Sequence, residues 1–222
     1  MNDEAIFSND LPLNQDSQLD VVPILVSIFA HFNPEVIEAA YTWSHKQHEK
    51  DSKRLVPEEA VYQHQFSATV LRAIKGTKWM LAEEVNAEGK KLDFLLRRPK
   101  MRDAPECRIG IELTASVNQA SLWEHAARDY PETKKLDQYI VVNLAPYQTG
   151  PEFSTFKHNV LQDTGRKEMK GGKEVPIMEV KYRVPIYHLL HDKEYRSVKL
   201  YHTNGQTSVQ VLGIPPPPKE DP

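Results

Sequence analysis

At 222 residues the chain is long enough to bury a sizeable core, and 40% apolar with 27% charged residues is the composition of an ordinary water-soluble globular domain. A formal net charge of −3 excludes a global basic field, so nucleic acid would have to be held by a local patch. Cys107 is the one cysteine, which excludes an internal disulfide and a thiolate zinc cluster and fits a reducing compartment.

Residues 1–20 carry Asp3, Glu4, Asp10, Asp16 and Asp20 with no Lys or Arg, and are expected to form a flexible acidic tail. They lack the basic start and apolar run of a secretory signal. The apolar run Val21 to Ala30 contains Pro23 and is too short to span a bilayer, so it is read as a buried helix or a docking segment. The expectation is a soluble, intracellular protein, with the nucleus among the compartments open to it.

Asn33-Pro34-Glu35 is a helix start, with a capping side chain, proline at the first helical position and an acid in the first turn. Val36, Ala39, Ala40 and Trp43 then recur at helical spacing as its apolar face, and the helix fades in the polar run Ser44 to Arg54. Residues 21–56 are thus a helical preface to a domain spanning 57–213. Pro57-Glu58-Glu59 opens the next helix by the same logic; Tyr62, Phe66, Val70 and Ala73 form its buried face and Gly76 ends it. Glu59 and Gln63, four apart beside that face, are placed to project into one cleft.

Trp79 to Val85 reads as a strand, Asn86 to Lys90 as a turn, and Leu92 to Leu96 as the hairpin partner. A Pro-containing loop, Arg98 to Glu106, leads to the strand Cys107 to Leu113; Ser121 to Asp129 is helical and Gln138 to Leu144 is a β-branched central strand. Beyond Pro146 the pattern weakens. Glu152 to Lys173 is polar and ends in Gly171-Gly172, and short strand-like runs follow within Val175 to Leu190 and Ser197 to Leu212, as edge strands or a small appended hairpin. Residues 214–222 form a Pro-rich tail, with Pro215 to Pro218 extended. The order of elements predicts an α/β fold with a mixed sheet flanked by helices.

Three acids in fixed order carry the chemistry: Glu59 opening a helix, Asp93 in Leu92-Asp93-Phe94, and Glu112 in Gly110-Ile111-Glu112. Strand alternation puts Ile109, Ile111 and Leu113 on one face with Glu112 and Thr114 on the other, and sets Leu92, Phe94 and Leu96 against Asp93. On neighbouring strands Asp93 and Glu112 would converge, and such a pair suits Mg²⁺, which takes few protein carboxylates and fills its octahedron with water and phosphate oxygens. The plain reading of the same acids is a solvent-facing strand residue and favourable charges on a helix dipole.

Glu59-Ala60-Val61-Tyr62-Gln63-His64-Gln65-Phe66, the hairpin with Leu92-Asp93-Phe94, and Gly110-Ile111-Glu112 occur in an order that resembles the PD-(D/E)XK, restriction-endonuclease-like superfamily. Within it, the chain is similar to the nuclease-like domains of crinkler-type effectors. The likeness continues through His125, Arg128, Asp137 to Val142, Val184 to His188 and Tyr195-Arg196, covering roughly residues 57–202. It implies a restriction-endonuclease-like sheet and Mg²⁺ (or Mn²⁺) held by Glu59, Asp93 and Glu112, with Gln63 in support. It also implies DNA as substrate, RNA not excluded, with Lys91, His125, Arg128 and Lys135 on the phosphates. Relatives add an NTPase partner or fused domain, and a homodimer stays open. Thr114 stands where the superfamily has its lysine, and Gln65 where relatives often have a second acid. Lys91, Arg128, Lys134 or Lys135 is left to supply the missing cation. The rival reading is a catalytically degenerate module that binds nucleic acid or a protein. A third is a protein-interaction domain working through the proline tail.

Overall fold

Asn33 starts its helix as the sequence requires: its side-chain Oδ1 accepts the backbone N–H of Glu35 at 3.0 Å. Its own N–H donates to Oε1 of Gln65 at 2.8 Å, so Gln65 ties two helices together. This is a computed structural model, and it describes residues 6–7, 10–14, 19–47, 58–87, 90–102, 104–115, 119–128, 130–133, 135–146, 157–202 and 207–211. The helices are α1 (Val21–Ala30), α2 (Pro34–Gln47), α3 (Glu59–Ala73), α4 (Gln119–Ala126) and the single turn α5 (Tyr130–Thr133). The strands are β1 (Met80–Ala87), β2 (Lys90–Arg98), β3 (Cys107–Thr114), β4 (Gln138–Pro146), β5 (Lys157–Lys170), β6 (Lys173–His191), β7 (Val198–His202) and β8 (Thr207–Val211). Pro57, His48, Lys134, Asp129 and the proline tail lie outside the described residues.

The strands form one mixed sheet in the order β1-β2-β3-β4-β6-β7-β8, with β5 paired to β6 off that path. β1, β2 and β3 form an antiparallel meander, whereas β3, β4 and β6 run parallel. A parallel pair needs a crossover, and α4 and α5 provide it between β3 and β4. The result is a mixed α/β architecture with helices on both faces. No single helix among the described residues is long and apolar enough to cross a membrane.

Side chains divide cleanly between the two faces. Ile109, Ile111 and Leu113 of β3, with Ile140, Val142 and Leu144 of β4, enter the larger core under α1, α2 and α3. Phe66 of α3 meets Phe94 of β2 there with ring centroids 4.9 Å apart. Each such buried ring or branched chain contributes roughly 1.5–3 kcal/mol relative to exposure. The smaller core on the opposite face holds Leu92, Leu95, Ala126, Tyr130, Tyr139, Val141, Val184 and Ile186. Gly110 belongs to that face: a Cβ there would lie 2.4 Å from Cδ1 of Leu136 and 3.3 Å from both Leu92 and Tyr139.

Four sequence expectations are corrected. The described part of residues 1–20 is not a loose tail: Leu11 and Leu19 are buried in the larger core, and Asp10 accepts the indole N–H of Trp79 at 2.8 Å. Its few leucines outweigh its acids, because they are the residues with somewhere to go. In α2 the buried face is Ile37, Ala40 and Tyr41, while Val36 and Ala39 face outward. Both stripes have helical spacing, and the one offering Ile37 and Tyr41 has more apolar surface to bury. The weak pattern after Pro146 conceals a long hairpin, β5 of 14 residues and β6 of 19, turning at Gly171 and Gly172 with φ of 58° and 78°. Lastly, Leu92 does not share a core with Phe94 and Leu96 but lies on the opposite face, because strand alternation breaks at Asp93.

Candidate active-site cleft

The break at Asp93 creates the site. Opposite it on β1, Glu84 has φ of 46°, and the ladder that pairs Glu83 with Phe94 and Val85 with Leu92 skips the position between. On the other side, the pairing of β2 with β3 ends at Phe94 and Ile111. Where the backbone ladder stops, a side chain takes over: Oδ2 of Asp93 accepts the N–H of Leu113 at 2.9 Å. The two strands part there. A cleft of about 370 Å³ opens between them and the end of α4.

The described residues lining the cleft are Glu59, Lys91, Asp93, Glu112, His125, Arg128 and Tyr130. Six of them are singled out from the sequence, and they come from the start of α3, from β2, from β3, and from the end of α4 and the turn after it. Gln63 does not line the cleft but supports it, donating from Nε2 to Oε1 of Glu59 at 3.2 Å. Thr114 is on the same strand face as Glu112, yet it is buried and outside the cleft, paired with the buried Asn143 of β4. Lys135 is exposed and also outside it. Thr114 lies where β3 is still laddered to β4, whereas the cleft follows the end of β2 that has left the β2–β3 ladder.

Glu112 is fully buried, so its charge cannot be solvated by water and needs protein partners. Its Oε1 accepts from the Arg128 guanidinium and, at 3.1 Å, from Nδ1 of His125. His125 and Arg128, expected at a phosphate, contact the Glu112 carboxylate in this arrangement. Among the described residues Oε2 of Glu112 has no hydrogen-bond partner. Arg128 is a third exposed at the mouth, 3.4 Å from the Tyr130 hydroxyl and 6.0 Å from the centre of that ring. Lys91, more exposed still, pairs with Glu84 at 3.1 Å.

Burial holds the Asp93 carboxyl up at about 6, offset in part by the Leu113 N–H and reinforced by the negative charge of Glu59. Burial likewise pushes the Tyr130 phenol up, against the lowering influence of Arg128. Among the described residues no group of three or more His, Cys, Asp or Glu side chains is disposed to hold a metal ion as the side chains stand.

Tyr130 is the site residue that sequence reasoning missed. It sits in a one-turn helix with no periodicity to reveal its direction, donates its hydroxyl to the carbonyl of Lys91, and packs edge-on against Tyr139 at 5.6 Å. Tyr139 in turn donates to the carbonyl of His125 at 2.7 Å, fixing the end of α4 over β4. Compared with protein-family models, with curated proteins and with solved structures, the chain has no match in any of the three.

Proposed function

We propose that the chain is a metal-dependent nuclease-like protein with a restriction-endonuclease-like, PD-(D/E)XK fold, akin to the nuclease-like domains of crinkler-type effectors and acting on DNA phosphodiesters. What carries this reading is the convergence of Glu59, Asp93 and Glu112 with Lys91, His125 and Arg128 around one cleft at a strand splay. Acids alone would suggest a cation site and bases alone an anion site; the two together fit a phosphate neutralised by a cation.

The donor set fits Mg²⁺ or Mn²⁺ through two residues, Asp93 and Glu112, since such ions keep several waters and take one or two carboxylates. Oε2 of Glu112, without a hydrogen-bond partner among the described residues, and the poorly solvated Asp93 carboxyl are the groups that gain from a cation. An ion held there would polarise a phosphate oxygen and acidify a water. Glu59, steadied by Gln63, is placed to orient a water from the helix side. Lys91 and His125 bind phosphate oxygens. Arg128 takes the part of the absent lysine, because its guanidinium is the cation in the cleft nearest to Glu112 and never loses its charge.

One observation favours a second reading, a degenerate module that binds nucleic acid or a protein without cutting. Glu112 is already neutralised by Arg128 and hydrogen-bonded by His125, and Thr114 offers no ammonium. A cleavage assay on DNA and RNA with Mg²⁺ or Mn²⁺, run beside Asp93→Asn and Glu112→Gln, separates the two. Slow metal-dependent cleavage lost in both variants is expected. Cleavage that survives both variants would place the chemistry elsewhere, and binding without cleavage in the parent would favour the module.

A further inference from the structure

We infer that Arg128 and His125 form a phosphate-operated latch on Glu112: without a phosphate they hold the carboxylate, and a nucleic-acid phosphate draws Arg128 off and frees Glu112 for a divalent ion. This rests on the metal-dependent reading above and adds to it an order of assembly, in which nucleic acid and ion bind with positive coupling.

Three features of the cleft carry it. Glu112 is completely buried, so its ionised form needs a positive partner, and a cation that leaves is best replaced by another. The two partners seen among the described residues share Oε1, and none of those residues hydrogen-bonds the second oxygen. An ion can therefore engage Oε2 before the latch has fully opened. Arg128 is held at the cleft mouth rather than inside it, with the Tyr130 hydroxyl and ring beside it as a second resting place.

The chemistry of the guanidinium supplies the exchange. Its planar fork matches a phosphate as well as a carboxylate, and phosphates arriving along nucleic acid would meet the exposed side of Arg128 first. While Arg128 stays on Glu112, its charge repels a divalent ion from the same carboxylate. Once the fork has turned to a phosphate, the repulsion becomes an attraction shared by both ligands. By linkage the ion must then tighten nucleic-acid binding by the same factor.

The test is Mn²⁺ binding to the full chain by calorimetry and electron paramagnetic resonance, with and without a short DNA duplex. Glu112→Gln with the same duplex serves as the blank for Mn²⁺ on DNA itself, and a duplex with uncharged methylphosphonate linkages serves as the charge control. The parent should bind Mn²⁺ about tenfold more tightly with the charged duplex and gain nothing from the neutral one. Arg128→Gln should bind Mn²⁺ about tenfold more tightly than the parent without any duplex and gain little on adding it. Should Arg128→Gln fail to fold, the parent's comparison of charged with neutral duplex decides alone. Equal Mn²⁺ affinity of the parent in all three conditions would overturn the latch while leaving a metal site in place. No Mn²⁺ binding by the parent in any condition would remove both the latch and the metal-dependent reading.

Discussion

Tyr62 donates its hydroxyl to Nε2 of His191 at 2.8 Å, joining α3 to the end of β6 inside the larger core. The direction is set by the other ring nitrogen, because Nδ1 lies 2.7 Å from the carbonyl of Asp192, which can only accept. In the neutral ring that burial favours, the proton is therefore on Nδ1. Burial pulls its pKa down from 6.5 to about 4, against a smaller upward pull from Asp192. The unfolded chain thus binds the extra proton between about pH 6.5 and about pH 4. Stability from this group is complete above that window and lost as pH falls through it, by about 3 kcal/mol at most. Urea denaturation from pH 7 to pH 4 should show a steeper acid loss for the parent than for His191→Gln. Parallel curves would show that the imidazole is not buried neutral.

Asp93 works with the opposite sign. Its folded carboxyl, at about 6 against 3.8, keeps its proton longer than the unfolded one, so stability is lost as pH rises through that interval. Asp93→Asn keeps an oxygen for the Leu113 N–H and removes the charge. At pH 7.5 it should be the more stable protein by roughly 1–2 kcal/mol, a figure discounted for the part of the side chain that water reaches. Near pH 4 the advantage should vanish. A less stable Asp93→Asn at pH 7.5 would mean that the carboxylate has a cationic partner stronger than the Leu113 amide.

Removing either end of the Glu112–Arg128 pair should not be equivalent. Arg128→Ala strands a fully buried carboxylate with only His125 beside it and should cost about 3–5 kcal/mol. Glu112→Gln leaves a guanidinium that is a third exposed and can turn to water, so its cost should be about 1–2 kcal/mol. The double variant should recover much of the loss seen in Arg128→Ala. Denaturant midpoints of the three variants check the order, and equal costs for the two single changes would contradict it.

Gly110→Ala should destabilise by about 1–3 kcal/mol, since the new methyl would need Leu136 to move and would press on Leu92 and Tyr139 as well. Leu136→Ala should relieve part of that cost in the double variant. Additive losses would show that the obstruction is elsewhere.

Much of the fold was readable because its signals are local. The cap at Asn33, the buried stripe of Tyr62, Phe66, Val70 and Ala73, and the apolar run of β4 each state their element within a few residues. The β5–β6 hairpin was not readable, because it is exposed on both faces for most of its length and no alternation between buried and polar positions is left to detect. In the cleft, the resemblance in motif order, more than spacing, nominated Glu59, Asp93 and Glu112. Their bonding was beyond reach: that Arg128 takes Glu112 depends on how the crossover through α4 packs on β4, and that Thr114 is buried outside the cleft lining depends on the pairing of β3 with β4. The break in alternation at Asp93 belongs to the same class, coinciding with the positive φ of Glu84 across the strand pair.

The Asp93–Leu113 bond has a spectroscopic consequence. Most amides in a sheet are protected from solvent exchange by a backbone carbonyl, whose basicity does not change. The Leu113 amide is guarded by a carboxylate that titrates and that would be claimed by any cation entering the cleft. Its chemical shift and exchange rate should therefore follow events in the cleft, while its neighbours in β3 stay silent. One backbone N–H gives the protein a built-in label for occupancy, readable without knowing the substrate.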